Sequence, residues 1–377
     1  MSVLRQWHAD ATQRVQWSTG VYQGLLDVTP EEIPTLFGDL DASRRRFLAV
    51  DANVWRIYGQ QITDLLNRFG VEYSDPCIIQ GGESAKTRDT ARQVYKELEK
   101  FGVARFGEAP IAIGGGVLHD LFGMVAGEYR RGLTWEFIGT TVTAAIDAMF
   151  ALKCAVNDEW KNRSGLYHPA RYSWTDPRFF ETLPLSDIRA GFAEVIKVAV
   201  AGDQVLFDLL EDNGPRVVGE RFQGADEAAA EILARAIAWM MCELESNPWE
   251  RNPARASYLG HNISPGIEPR LPHGRAVALD IAWTTMIAWR RDLVDLATRD
   301  RILQVIRSAG LEVWHPVMEE SQRLIAALED TALHRGGEQL VPTPIGIGSV
   351  TYLNDITTAE LLGAVEDQHG VWLADAS

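Results

Sequence analysis

The segment APIAIGGGVLHDLFGMVAGEYRRG, Ala109 to Gly132, decides the fold. It opens on an apolar run short enough for a buried strand, breaks at Gly114, Gly115 and Gly116, and resumes with apolar residues at helical spacing. Strand, glycine turn and helix in that order aim backbone N–H groups and a helix N-terminus at one point, where a pyrophosphate can sit. The glycines lack the Gly-x-Gly-x-x-Gly spacing, so a plain tight turn remains open.

The same unit recurs on either side. FLAV (Phe47 to Val50), closed by Asp51, leads into a helix across DANVWRIYGQQITDLLNRFG. CII (Cys77 to Ile79) leads through GGESAKTRDT, with Glu83 and Lys86 behind a glycine pair, into a helix ending near Phe101. TWEFIGTT is a fourth strand, ending at Thr140 and Thr141. Strands alternating with helices predict an α/β domain with a mainly parallel sheet. From about residue 186 the pattern becomes long amphipathic helices, such as DEAAAEILARAIAWMMCELE and ALDIAWTTMIAWRRDLVDLATRDRILQVIRSAG, and only GSVTYLND suggests a strand. The expected layout is an α/β domain over 1–186, with an N-terminal arm of mixed character to about residue 45. An all-α domain over 187–377 follows, and ligand lies in the cleft between the two.

Composition narrows the function. Of 377 residues, 46% are hydrophobic, enough for a substantial core, and the net charge of −16 argues against nonspecific nucleic-acid binding. A local cluster of Lys and Arg can still hold a phosphate. Cys77, Cys154 and Cys242 are few and far apart, which suits reduced thiols in a cytoplasmic protein. The first residues carry charge throughout and no apolar core of a signal peptide, and no run is long enough to span a membrane.

A second constellation lies in the helical half. GFAEVIK (Gly191 to Lys197) sets Glu194 and Lys197 three apart, on one face of an apolar helix. YLGHNISP then supplies His261 and LPHGRAV supplies His273, each beside a glycine. One carboxylate and two imidazoles fit a zinc-like ion with a position open for substrate. Coincidence and a buried Glu194–Lys197 ion pair are the plainer readings. Asp51 and Asp120 could likewise be helix caps, and Arg130–Arg131 a solvated face.

In order along the chain stand DANV, GGE-x-x-K, GGGV-x-x-D, YRRG, TT-x-x-x-x-x-D, K-x-x-x-N with KN, TLP, AEVIK, GH and HG. This series, from about Asp51 to about Asp355, resembles the sugar phosphate cyclase family, whose best-known member is 3-dehydroquinate synthase. The resemblance implies a Rossmann-like NAD-binding domain, a helical C-terminal domain holding Zn2+ or Co2+, a sugar phosphate substrate and a homodimer. It is nearest to the sedoheptulose 7-phosphate cyclases, the branch of 2-epi-5-epi-valiolone synthase. ELESNPWERN (Glu243 to Asn252) is similar to a segment of that branch, and Pro265 stands where dehydroquinate synthases carry a second histidine. The stretch before Glu243 also lacks the lysine that those enzymes aim at a substrate carboxylate.

By resemblance, Glu194, His261 and His273 are the metal ligands. Asp51, Glu83 and Lys86 hold the adenosine end of NAD, Gly114, Gly115, Gly116 and Asp120 surround its pyrophosphate, and Thr140, Thr141 and Thr182 add contacts. Asp147, Lys153, Asn162 and Lys197 meet substrate hydroxyls, with Lys161, Arg130 and Arg255 supplying positive charge, Arg130 across a dimer interface. The implied reaction is alcohol oxidation by NAD, phosphate elimination, return of the hydride and aldol closure to a C7 cyclitol. Arg275 after His273-Gly274, Tyr258 before His261, and a step of only 12 positions from His261 to His273 depart from the family pattern. They leave open a sister product such as 2-epi-valiolone, the reaction of 3-dehydroquinate synthase itself, a metal-dependent polyol dehydrogenase and a catalytically silent relative.

Overall fold

Parallel sheets are covered on both faces, so their strands are continuous apolar runs. The N-terminal half of the computed structural model follows that rule; residues 10, 14–32, 36–37, 45–158, 161–224 and 227–376 are described. In chain order it contains β1 (Ser18–Val21), β2 (Arg45–Arg46), β3 (Leu48–Asp51), α1 (Ala52–Arg68), β4 (Glu72–Tyr73), β5 (Cys77–Ile79) and α2 (Arg88–Phe101). Then come β6 (Ile111–Gly114), α3 (Gly116–Glu128), β7 (Glu136–Gly139), α4 (Val142–Ile146), β8 (Lys153–Val156), β9 (Ser164–Tyr167) and β10 (Tyr172–Thr175). Six strands form one sheet in the order β1-β10-β7-β6-β3-β5, every pair parallel. Leu48, Ala49 and Val50 of β3 and Ile111, Ala112 and Ile113 of β6 are buried.

The chain leaves β3 for β5 on one side and returns to β6 on the other. That reversal opens a crevice beyond the carboxyl ends of β3 and β6, the usual ligand position in such sheets. Asp51 and Gly114 are those ends. The four strands read from sequence are present, whereas the arm holds an unforeseen edge strand, β1, parallel to β10. The antiparallel hairpin β8–β9 was also unread.

The second half contains α5 (Leu185–Gly202), α6 (Gln204–Gly219), α7 (Ala228–Ser246), α8 (Ser264–Ile267), α9 (His273–Arg290), α10 (Leu296–Ser308) and α11 (Ser321–His334). A hairpin of β11 (Val341–Gly346) and β12 (Ser349–Leu353) and a last helix α12 (Thr358–Ala376) complete it. The sequence-based boundary at 186/187 falls in the first turn of α5. The helical stretch after His273 divides between α9 and α10. Asp292 there takes a left-handed φ of 54°, and Asp295 caps α10 through the Thr298 N–H.

Helix α5 is the hub: every residue from Gly191 to Ala201 is buried, against α6, α7 and α9. Each large apolar side chain so buried contributes about 1.5–3 kcal/mol. Two glycines set how closely its neighbours approach. A Cβ on Gly274 would lie 2.1 Å from the Ala190 carbonyl oxygen, and one on Gly191 2.5 Å from Val142 Cβ. Glycine thus docks α9, and its first residue His273, onto α5, and docks α5 onto α4 of the cofactor half. Among the described residues no helix is long and apolar enough to cross a membrane, and the three cysteines are unpaired.

Candidate metal and cofactor site

The centre of the cleft is built by three elements of the helical half. Glu194 lies fully buried in α5, His273 begins α9, and His261 sits on the loop before α8. Their ligand atoms all lie within 4.8 Å of one another. Glu194 Oε1 is 3.0 Å from His273 Nε2 and 3.6 Å from His261 Nε2.

The outer nitrogens fix the tautomers. His261 Nδ1 lies 3.1 Å from the Leu259 carbonyl, to which it donates, and His273 Nδ1 donates to Glu268 Oε1 at 3.0 Å. Two Nε2 lone pairs and a carboxylate oxygen therefore converge, a donor set that demands a cation. Without one, a proton must serve. Burial lowers the His273 pKa, but its hydrogen bonds to Glu194 and Glu268 outweigh that and push it up to about 10. Burial takes His261 the other way, to about 4, against the pull of Glu194. The residues fit a divalent ion bound by one carboxylate and two imidazoles, and both imidazoles stay partly open to the cleft.

The surroundings hold these ligands by buried charge. Lys197, one turn after Glu194, places Nζ 2.5 Å from Glu194 Oε2. The lysine and neighbouring histidines overcome burial and hold the Glu194 pKa well below the usual range. Asp280 of α9, fully buried, accepts the backbone N–H groups of Asn262, Ile263 and Ser264 at 2.6, 2.7 and 2.9 Å. The helix that begins with one histidine thereby pins the loop carrying the other.

On the rim, Lys153 of β8 and Arg255 share one acid. Glu250 lies 2.6 Å from Arg255 and 3.5 Å from Lys153, and Tyr258 donates to it at 3.3 Å. Burial opposes ionisation of Glu250, but Lys153 and Arg255 bring its pKa down to about 2. Glu250 has a left-handed φ of 50°, a strained backbone of the kind functional sites retain. Asp147, capping the end of α4, adds a second negative charge felt by Lys153, Arg255 and His261.

The residues expected from the sequence to hold a cofactor gather at the sheet crevice. Asp51 caps α1 through the Asn53 and Val54 N–H groups, and its other oxygen faces Gly81, where a Cβ would come within 2.7 Å. The cap reading of Asp51 is met, and its second oxygen is left outside the cap. Gly114 closes β6 under Asp51, and Gly115 leaves the first N–H groups of α3 without a side-chain cap. Thr141 lies over Gly115 and caps α4, while the Thr140 N–H bonds the Gly114 carbonyl at 2.9 Å. Lys86, almost fully buried, pairs with Asp120 and donates to Asn162 Oδ1 at 2.6 Å. Glu83 accepts from Asn157 at 2.8 Å, and Thr182 meets the Tyr58 hydroxyl at 3.0 Å. Lys161 pairs with Glu268.

Arg130 stands apart. It is exposed on the turn after α3, with φ 48°, over the Tyr129 ring in an open groove with Tyr95, Glu99 and Glu128. Arg275, an expected disturbance of His273, turns away to Glu312 at 2.5 Å. Sequence reasoning missed Glu250, Glu268 and Asp280. The available signals were an acid five residues before His273 and another seven after it inside an apolar helix.

Residues 76–190 match the 3-dehydroquinate synthase N-terminal family and residues 191–332 the 3-dehydroquinate synthase C-terminal family. The chain belongs to the 3-dehydroquinate synthase family. Within that family it is 40% identical over 372 residues to a 2-epi-5-epi-valiolone synthase of Actinoplanes sp., covering 96% of this chain and 93% of that protein. A 2-epi-5-epi-valiolone synthase of Streptomyces albus is 39% identical, over 95% of this chain and 89% of its own. Among solved structures, the 2-epi-5-epi-valiolone synthase of Streptomyces hygroscopicus subsp. jinggangensis 5008, with NAD+ and Zn2+ bound, superposes with a TM-score of 0.91. It is 38% identical, over 97% of this chain and all of that one.

Proposed function

We propose that this enzyme is a sedoheptulose 7-phosphate cyclase of the 2-epi-5-epi-valiolone synthase type, dependent on NAD and on Zn2+ or Co2+. The observation that carries the reading is the joining of a Glu194–His261–His273 centre to a rim where Glu250 already offsets Lys153 and Arg255. Two cations against one acid leave a positive charge for a phosphate, while the stretch before Glu243 lacks the lysine that 3-dehydroquinate synthases aim at a substrate carboxylate, which suits a heptulose phosphate over their carboxylated substrate.

When bound, NAD accepts and returns a hydride, and the divalent ion held by Glu194, His261 and His273 acidifies the alcohol that loses it. The chain's own groups do the remaining work. Residues 1–186 bind the cofactor, through Asp51, Glu83 and Lys86, the Gly114–Gly116 turn with Asp120, and Thr140, Thr141 and Thr182. Residues 187–377 carry the metal ligands. Lys197 neutralises Glu194 and presents N–H donors to a substrate hydroxyl; Lys153 does so from the rim, its ammonium stabilised by Glu250. Asn162, its side-chain carbonyl already taken by Lys86, offers its amide N–H groups. Asp147 meets a substrate hydroxyl, and Arg255 and Lys161 favour the phosphate. The working unit is a cytoplasmic homodimer in which the exposed Arg130 serves the other subunit's site.

The test is phosphate release by purified protein with NAD and Zn2+ or Co2+, offered sedoheptulose 7-phosphate and the 3-dehydroquinate synthase substrate in parallel. Release from the heptulose phosphate without net NADH, with NMR of the cyclitol naming the isomer, is the expected result. Release only from the carboxylated sugar would contradict the reading.

A further inference from the structure

We propose that Glu268 is a positioning residue that ties the ligand His273 to Lys161 across the cleft, so that one carboxylate sets both the imidazole's orientation and the docking of residues 161–163 ahead of β9. Glu268 is the C-cap residue just after α8, and a turn of four residues separates it from His273 at the start of α9. The turn is closed by the Arg270 and Leu271 N–H groups on the Ile267 carbonyl, and Pro272 is the cap position before α9. This brings Glu268 Oε1 within 3.0 Å of His273 Nδ1, while Oε2 accepts from Lys161, 107 residues away in the chain.

The Glu268 side chain is only 8% exposed. An acid so buried is strongly unfavourable unless both oxygens are matched, and here each has a partner. By taking the Nδ1 proton it directs Nε2 at Glu194. By holding Lys161 it anchors the segment that continues into Asn162, which in turn accepts from Lys86 among the cofactor residues. A chain of contacts thus runs from His273 through Glu268 and Lys161 to the next residue, Asn162, and on to Lys86.

The inference rests on the metal reading of the centre, so the experiment separates the two. Zinc affinity is measured by competition with a chromophoric chelator for wild type, Glu268→Gln and Glu268→Ala. Hydrogen exchange of residues 161–167 is followed in the same proteins, metal-free, and melting in EDTA reports folding. The expected result is a zinc affinity lowered about 10- to 100-fold in Glu268→Ala and less in Glu268→Gln, which keeps an acceptor for Nδ1–H. Both variants should exchange faster at 161–167, with α1 unchanged. If Glu268→Ala does not fold, Glu268→Gln decides on both readouts. Zinc affinity within about twofold of wild type, or unaltered exchange at 161–167, overturns the proposal. Failure of wild type to bind zinc would sink the metal reading itself.

Discussion

Where the cofactor half of the cleft offers backbone, the helical half offers buried charge. At the sheet crevice, the residues expected to meet the cofactor are mostly backbone: glycines that keep the chain bare, uncapped N–H groups at the start of α3, and one aspartate that also caps α1, beside a buried Lys86–Asp120 pair. Across the cleft, Glu194, Lys197, Glu268 and Asp280 are ionisable groups removed from water, each matched to specific partners. A bare backbone site needs little desolvation and tolerates partial loss. A buried charge network does not, because removing one member strands the rest.

The largest effect expected from this contrast lies in the helical half. Asp280→Ala leaves three buried N–H groups without their acceptor. It should destabilise the protein by about 3–5 kcal/mol in urea unfolding and weaken zinc binding as the His261 loop loosens. Retained stability would mean that the network is not cooperative.

Glu250 sharpens the comparison through pH. Its folded pKa, about 2, lies below the ordinary 4.5, so it binds its proton more weakly folded than unfolded. The stability it contributes is present above pH 4.5 and is lost as pH falls toward 2. Glu250→Gln should flatten the fall of melting temperature across that window, and at neutral pH it removes on the order of 2–3 kcal/mol. An unchanged acid profile would break the assignment of Lys153 and Arg255 as its partners.

The cofactor half should respond more mildly. A Cβ on Gly114 would lie 2.7 Å from Leu118 Cδ2, a movable side-chain end, and 3.1 Å from Asp51 Cβ. Gly114→Ala should weaken NAD binding roughly tenfold, about 1–2 kcal/mol, in a fluorescence titration, with zinc affinity intact. A simultaneous loss of zinc would erase the distinction between the halves. Smallest of all, Arg275→Ala removes a surface pair with Glu312 and should change stability by less than about 1 kcal/mol, leaving zinc affinity at the wild-type value.

The same contrast governs what the sequence reveals. The strands at 48–51, 77–79, 111–114 and 136–139 are short apolar runs bounded by turn residues, a local signal. Edge strand β1 is Ser-Thr-Gly-Val and takes its identity from pairing with β10, which local pattern does not encode. Strand β11 carries Pro342 and Pro344, tolerated because the hairpin has only two strands and each has a free edge. Glu194, His261 and His273 stood out because Lys197, Gly260 and Gly274 flank them. Asp280 and Glu268 did not, since an isolated acid declares its role only when its partners, 16–18 and 107 residues distant, are brought to it. The concern over Arg275 followed from its neighbour in sequence, whereas its side chain turns away from His273.

The most direct test of the account is zinc-edge X-ray absorption on the zinc-loaded protein, with zinc titration of wild type beside Glu194→Gln. The account predicts one ion per chain in a shell of two imidazole nitrogens and oxygen ligands, and a loss of at least about a hundredfold in affinity for Glu194→Gln. A sulfur-containing shell, a shell without histidine, or full affinity in Glu194→Gln would contradict it.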